Sequence, residues 1–301
     1  MTILILGGAD DAHAMYMHEH LKGRGADVEL FDSRWFPTQM MIRFDPETGT
    51  GGVRLPGGRS VAFDAIESVY WRCYNLVGTP MLADEGQAMI AGNDARSLFE
   101  SLLIHLKTRW VNGWNGFQLH QTKPAALALV AALGVPVPRT MLGNDPEAVR
   151  EFAARVPKAI FKPVQGGAHT LRLLPEHLTD ANLANLAYAP VTLQEEITGT
   201  NIRVFVAGER VLTCEVATIE VDFREDPEPK IVPHALPKYV EEQCRKIAQV
   251  LHLRWTGIDL RLSGEGRYVF LEANPSPMFM GFESRSGIPL TKALGDLLLG
   301  V

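Results

Sequence analysis

Three side chains near the C-terminal end of this 301-residue chain are of types that bind hard cations: Asp259, Glu272 and Asn274, within WTGIDLRLSGEGRYVFLEANPSP, Trp255 to Pro277. Two carboxylates and an amide, with coordination left for water and phosphate, describe a magnesium site that holds a nucleotide, not an all-protein calcium cage. Lys162 is followed closely by Gly166 and Gly167, a pattern that lets a loop close over phosphates while the ammonium offsets their charge. Lys123, near the start of a helical stretch, offers a second phosphate contact. Arg203 stands between Ile202 and Val204, where a charge needs a partner; a phosphate, an acyl phosphate or a structural ion pair each meets that need. Arg224, in VDFRED, reaches the same phosphates if the loop around it closes. Gln194-Glu195-Glu196-Ile197 is a polar-acidic strand end of a kind that can hydrogen-bond an adenine edge, or that simply guards a strand edge with charge. Taken singly, either lysine is more readily a solvated surface charge. The nine histidines share no spacing and receive no role.

The element that must position the acidic set is a β-hairpin. Ile258, Leu260 and Leu262 alternate with polar residues, as do Val269, Leu271 and Ala273, and Ser263 to Arg267 between them carries two glycines. With the register symmetric about that turn, Asp259 pairs across from Glu272, and Asn274 shares their face. Facing carboxylates repel, so a divalent cation is the expected compensator, and loss of Glu272 is expected to cost rate but little fold. A solvated polar hairpin face is the plain alternative.

Elsewhere, Thr2 to Leu6, a helix from Ala12 to Gly23 and Asp27 to Phe31 open a β-α-β unit, but GGADDAHA lacks the G-x-G-x-x-G of a dinucleotide site. Met40 to Phe44, Gly52 to Leu55 and Ser60 to Phe63 read as antiparallel strands, Ile66 to Arg72 as a buried strand and Gln87 to Leu106 as one long helix. RWVNGWNG supplies strand and loop, His120 to Leu133 a helix closed by Gly134, and Ala159 to Lys162, Thr170 to Leu174 and Val191 to Ile197 further strands. Asn201 to Ala207 pairs with Arg210 to Val216 through a tight turn at Gly208, and Asp222 to Pro237 reads as a substrate-side loop. Pro237 to His252 and Pro289 to Leu299 are the closing helices.

Composition bounds the function classes. A net charge of −6 without runs of like charge argues against a nucleic-acid footprint. Cys73, Cys214 and Cys244 are far apart and odd in number, which fits reduced thiols in a cytoplasm. The N-terminus has no basic leader and no stretch approaches a membrane span, so the expectation is a cytoplasmic chain with no membrane partner.

The order Lys123, Lys162 with its glycines, QEEI, Asn201 to Arg203, VDFR, GID and LEANPSP resembles the ATP-grasp superfamily, in its RimK-like carboxylate–amine ligase branch, over roughly residues 118 to 301. FDSRWFPTQ, LPGGRSV, SVYWR and NPSPMFMGFESRSGIPL look more particularly like the ATP-grasp peptide maturases that crosslink graspetides of the microviridin type. The resemblance implies an α/β, α+β ATP-grasp architecture: an N-terminal open α/β domain over 1–114, a central subdomain with the glycine loop over 115–192 and a C-terminal subdomain with the magnesium site over 193–301, the last two enclosing the nucleotide. It implies an ADP-forming ligase that activates a carboxylate as an acyl phosphate and joins it to an amine or hydroxyl on a precursor peptide. A ligase that adds an amino acid to a small molecule or protein tail, and a non-catalytic ATP-binding accessory protein, are its rivals. Lys123 and Lys162 would hold ATP phosphates, Gln194 to Ile197 the adenine and Asn201 the ribose. Arg203 and Arg224 would stabilise the acyl phosphate, and Asp259, Glu272 and Asn274 would bind two Mg2+ ions, with Mn2+ as a substitute. A homodimer is part of the same implication. Asn201 departs from the Asp common at that position, and PVQGGAH is not the commonest glycine pattern.

Overall fold

A computed structural model of the chain describes residues 1–217 and 229–301. The chain opens with β1 (Thr2–Leu6), α1 (Ala12–Gly23) and β2 (Asp27–Leu30). The apolar run of β1 is buried along its whole length, and Asp11 caps α1 by accepting from the Ala14 amide, an ordinary signal for a helix start. β3 (Met41–Asp45), β4 (Thr50–Arg54) and β5 (Ser60–Ala62) form a small antiparallel sheet, and β6 (Ile66–Trp71), α2 (Glu85–His105) and β7 (Arg109–Val111) follow. The parallel sheet runs β2-β1-β6-β7, with α2 packing Phe99, Leu102 and Leu103 against Leu4, Leu6 and Phe31.

RWVNGWNG gives the expected strand, β7, but its loop is cut short at Trp114, where α3 (Trp114–Gln121) begins; the single helix expected from His120 to Leu133 is broken at Thr122 and runs on as α4 (Lys123–Ala132). Trp114, Phe117 and Leu119 pack against two different cores, which explains a helix that the two glycines of the stretch conceal. Next come β8 (Thr140–Gly143), α5 (Pro146–Arg155), β9 (Ala159–Pro163), β10 (Leu171–Arg172), the one-turn α6 (Asp180–Leu183) and β11 (Val191–Glu195). Their sheet has the order β10-β9-β11-β8. All of β11 pairs with β8 and β9, so the strand straddles the 192/193 boundary and belongs whole to this smaller sheet.

The last sheet, β14-β13-β12-β15-β16, is built from β12 (Gly199–Ala207), β13 (Arg210–Ala217), β14 (Lys230–Pro233), β15 (Trp255–Ser263) and β16 (Tyr268–Asn274). β12 and β13 meet at a two-residue turn, Gly208-Glu209, with Gly208 at φ +58°. The loop expected over Asp222 to Pro237 is corrected in its described part: Lys230–Pro233 is a strand, because its apolar Ile231 has Val216 to pair with on the edge of β13. Arg224 lies outside the described residues. α7 (Lys238–Val250) covers one face of this sheet through Val240, Cys244, Ile247 and Ala248. α8 (Met280–Ser286) and α9 (Leu290–Leu299) close the chain, and α9 buries Leu290, Leu294 and Leu298 against the N-terminal β1 and α1. No described helix is long and apolar enough to cross a membrane, and the three cysteines are free thiols.

Candidate active site

The hairpin β15–β16 pairs Asp259 with Glu272 and Gly257 with Asn274, but not through simple alternation. From the turn outward Leu262 faces Tyr268 and Leu260 faces Phe270; the register then shifts, leaving Leu271 unpaired as a bulge. Tyr268, Phe270 and Ala273 therefore lie on the core face with Ile258 and Leu260, which corrects the expected apolar row Val269, Leu271, Ala273. Without the bulge, Glu272 would continue the Tyr268–Phe270 row into the core. The extra residue turns it, with Asn274, onto the face of Asp259. Arg203 on β12 stands directly across from Asp259, and Asn201 across from Arg261, so one face of three strands presents Asn201, Arg203, Asp259, Glu272 and Asn274.

Side-chain cations already meet these carboxylates. Arg203 Nη1 donates to Asp259 Oδ1 at 2.5 Å, Lys123 Nζ to Glu272 Oε2 at 3.1 Å, and Asn274 Nδ2 to Glu272 Oε1 at 3.2 Å. The carboxylate repulsion inferred from the pairing is thus offset within the protein, and losing Glu272 would strand Lys123 rather than relieve strain. Burial raises the Glu272 pKa, but the Lys123 ammonium, with hydrogen bonds from Asn274 and Lys123 and the more distant Lys162, outweighs it and holds the carboxyl at about 2. Two carboxylates and an amide on one face are a hard-oxygen donor set that fits Mg2+. Among the described residues no group of three His, Cys, Asp or Glu side chains is placed for a metal.

Gly257, the glycine of GID, has a steric reason: a Cβ there would lie 2.5 Å from Arg203 Nη2 and 2.7 Å from Pro277 Cβ. The guanidinium crosses that bare backbone to reach Asp259.

Lys123 opens α4, where the helix N-terminus adds positive potential to its ammonium. The glycine loop bends next to it. Gly166 and Gly167 adopt φ of +119° and +96°, open to glycine at little cost, and Gln165 bonds Gln121 at the end of α3. On the smaller sheet, Lys162 and Gln194 share a face; Lys162 Nζ donates to Gln194 Oε1 at 3.2 Å, and Gln194 Nε2 donates to Thr140 Oγ1 at 3.0 Å. Glu195 points to the other face, where Arg139 holds it through Nε and Nη2 at 3.1 Å each, and Arg172 grips Glu196. Their amides are also used, by the Arg139 and Lys158 carbonyls. Among the described residues the Ile197 amide is the donor left at this strand end. Lys162 and the strand end at 194–197 therefore come from one sheet, Lys123 from the start of α4, and the acidic groups and Arg203 from the other sheet.

Two residues escaped sequence reasoning. Arg72 donates from Nη1 to the Ser276 carbonyl (2.9 Å) and Oγ (2.8 Å) and from Nε to Asp11, tying the NPSP loop to the N-terminal sheet. Burial and, next, Lys123 push the His120 pKa down, against the pull of Glu272 and a hydrogen bond to the Ala273 backbone. Neither lies in a recognisable spacing.

A family model for the RimK-like ATP-grasp domain matches residues 120–298. The chain belongs to the RimK-like ATP-grasp family. This ATP-grasp chain is 29% identical over 307 aligned positions to a probable alpha-L-glutamate ligase of Legionella pneumophila (strain Corby), covering 96% of the chain and 92% of that relative. It superposes on the ATP-grasp ligase PsnB, solved in complex with a minimal precursor, with TM-score 0.87 and 33% identity over 99% of this chain and 98% of PsnB. The macrocyclase MdnC of Microcystis aeruginosa MRC, bound with precursor peptide MdnA, shares the fold, with TM-score 0.86 and 23% identity over 99% of each chain. The chain is an ADP-forming ATP-grasp ligase that uses ATP and Mg2+.

Proposed function

We propose that this ATP-grasp ligase acts on a precursor peptide, activating a side-chain carboxylate and joining it to a hydroxyl or amine of the same peptide. The observation that carries the reading is the extent of the likeness to PsnB, which runs through the N-terminal sheets as well as the ATP-grasp part and covers 99% of the chain.

In this reading Lys123 and Lys162 neutralise the phosphates and the Ile197 amide meets the adenine, with Glu195 and Glu196 held aside by their arginines; Gln194 fixes Lys162, and Asn201 faces the ribose. Asp259, Glu272 and Asn274 would hold Mg2+, which would supply positive charge against the negative charge developing during phosphoryl transfer. The substrate carboxylate attacks the γ-phosphorus, the bond to the ADP oxygen breaks, and Arg203, joined by Arg224, stabilises the acyl phosphate. The hydroxyl or amine then attacks the acyl carbon, loses its proton, and inorganic phosphate leaves. We divide the chain at about 114 and, because β11 belongs to the smaller sheet, just after 195 rather than at 192. A cytoplasmic location goes with ATP supply and three free thiols, and a homodimer with the family; sedimentation at twice 33.2 kDa would support the latter.

The test is ADP release from Mg-ATP with candidate precursor peptides, with products weighed by mass spectrometry. Loss of one water per ligation within the peptide supports the proposal. The 29% identity to a glutamate ligase favours the second reading, which a mass gain of one amino-acid residue on the acceptor would establish instead.

A further inference from the structure

Arg203 is only 6% exposed, yet one carboxylate contact accounts for its hydrogen bonding: Nη1 meets Asp259, while Nε is buried with no partner among the described residues. Nη2 lies over Gly257. A flexible side chain tethered at one corner needs something else to fix its plane. Two rings supply it, with Cζ 5.4 Å from the Phe205 centroid and 5.6 Å from that of Phe282. The rings meet edge to face at 5.4 Å and 70°. A guanidinium over ring faces in a desolvated site is attracted by the ring quadrupoles, and its planar fork is held by such faces as an ammonium is not.

The two rings differ in standing. Phe205 is fully buried, stacked on Trp255, and belongs to the core. Phe282 is half-buried on α8, the short helix that follows the NPSP loop, where it also covers Cys214, Val216 and Ile231. Its neighbour Glu283 accepts from the Thr291 hydroxyl and amide, anchoring α8 to α9.

We propose that Phe282 is a positioning residue for the ligase reaction, its ring clamping the Arg203 guanidinium against Gly257 and Phe205 so that the Nε and Nη2 donors keep one direction. This rests on the reading of Arg203 as the group that meets the transferred phosphoryl.

The test places phenylalanines of increasing ring fluorination at position 282, which drain the π face while nearly preserving shape. Two readouts are taken: solvent exchange of the Arg203 Nε proton by NMR in nucleotide-free protein, assigned by its loss in Arg203→Lys, and ADP release from Mg-ATP. Exchange is expected to quicken and ADP release to fall in step, by about tenfold across the series, the size of a desolvated cation–π contact. Phe282→Tyr should behave as the parent and Phe282→Leu as the end of the series, and Phe282→Leu should add nothing to the loss in Arg203→Gln. A flat response of the Nε proton, or a Phe282→Leu loss that multiplies that of Arg203→Gln, overturns the clamp. Full ADP release by Arg203→Gln would instead refute the role of Arg203, while the Nε proton still decides whether Phe282 holds it.

Discussion

Glu272 joins the two halves of the site, since its carboxylate is both a candidate metal ligand and the partner of Lys123. Its pKa is depressed from 4.5 to about 2, so its contribution to stability is present above the ordinary carboxylate value and is lost as pH falls between those two values. In metal-free buffer Glu272→Gln should flatten the stability profile across that window while leaving the chain folded at neutral pH. The same variant should lower ADP release at least about a hundredfold, the scale of losing a group that meets developing charge. An unchanged acid profile would mean that the Lys123 pairing contributes nothing. Gly257 belongs to the same scale. Gly257→Ala puts a methyl where Arg203 Nη2 and Pro277 Cβ already sit, so ADP release should fall about tenfold or more, and Arg203→Lys should lose only the part of that sensitivity that comes from the guanidinium, since Pro277 stays in place. Comparing the two single variants and the double variant by ADP release checks this.

At the scale of elements, the bulge in β16 decides which face Glu272 occupies. Deleting Leu271 would remove the unpaired residue and leave Phe270 facing Leu260 and Glu272 facing Asp259 in plain alternation, so Glu272 and Asn274 would keep their face. The deletion should therefore leave the chain folded, with Tm lowered by no more than about 5 °C for the straightened strand, the scale of about 1 kcal/mol. Leu271→Ala keeps the bulge and should leave ADP release within about twofold, since Leu271 pairs with nothing and is only half-buried. Thermal melts and turnover of the two variants separate the bulge from its side chain. Much of this scale was legible beforehand. The hairpin, the buried strands and the long helix followed from apolar period and glycine-rich turns, whereas α3 did not, because its short length, its internal Gly116 and the Gly113 before it hide a face that only two adjacent cores reveal.

At the scale of the molecule, the C-terminal helix closes on the N-terminal sheet. Asp296 on α9 is 4% exposed at its side chain and receives Lys292 from its own helix, Arg210 from β13 and Arg24 from the end of α1. Lys292, with Arg210 and Arg24 acting against burial, holds its carboxyl well below the usual range. A depressed carboxylate stabilises above its ordinary pKa and ceases to only in strong acid, so this clamp is intact throughout the neutral range. Asp296→Asn should lower Tm by about 5–10 °C, and amide exchange should rise first in α1 and α9, since the change leaves three cations facing each other. Ser68 and Arg109, both donating to the Leu298 carbonyl, keep the same seam from opening entirely. Arg72 on Ser276 runs the N-terminal sheet into the NPSP loop, so loosening this seam reaches the candidate site.

The sequence by itself determined the chemistry on offer: Asp259, Glu272 and Asn274 with Lys123, Lys162 and Arg203, in an order that resembles ATP-grasp ligases. Those are statements about residue type and order along one strand or loop, and local period suffices for them. Tertiary structure decided which groups face one another. Arg203 on Asp259, Lys123 on Glu272, Arg139 and Arg172 on the two glutamates of QEEI, and Phe282 beside Arg203 join segments up to 149 residues apart. The bulge at Leu271 is likewise a tertiary choice, since the core claims Phe270 and Ala273 together and one residue must be left over to satisfy both. No spacing encodes such contacts, because their energy comes from strands and helices that meet only when the chain is folded.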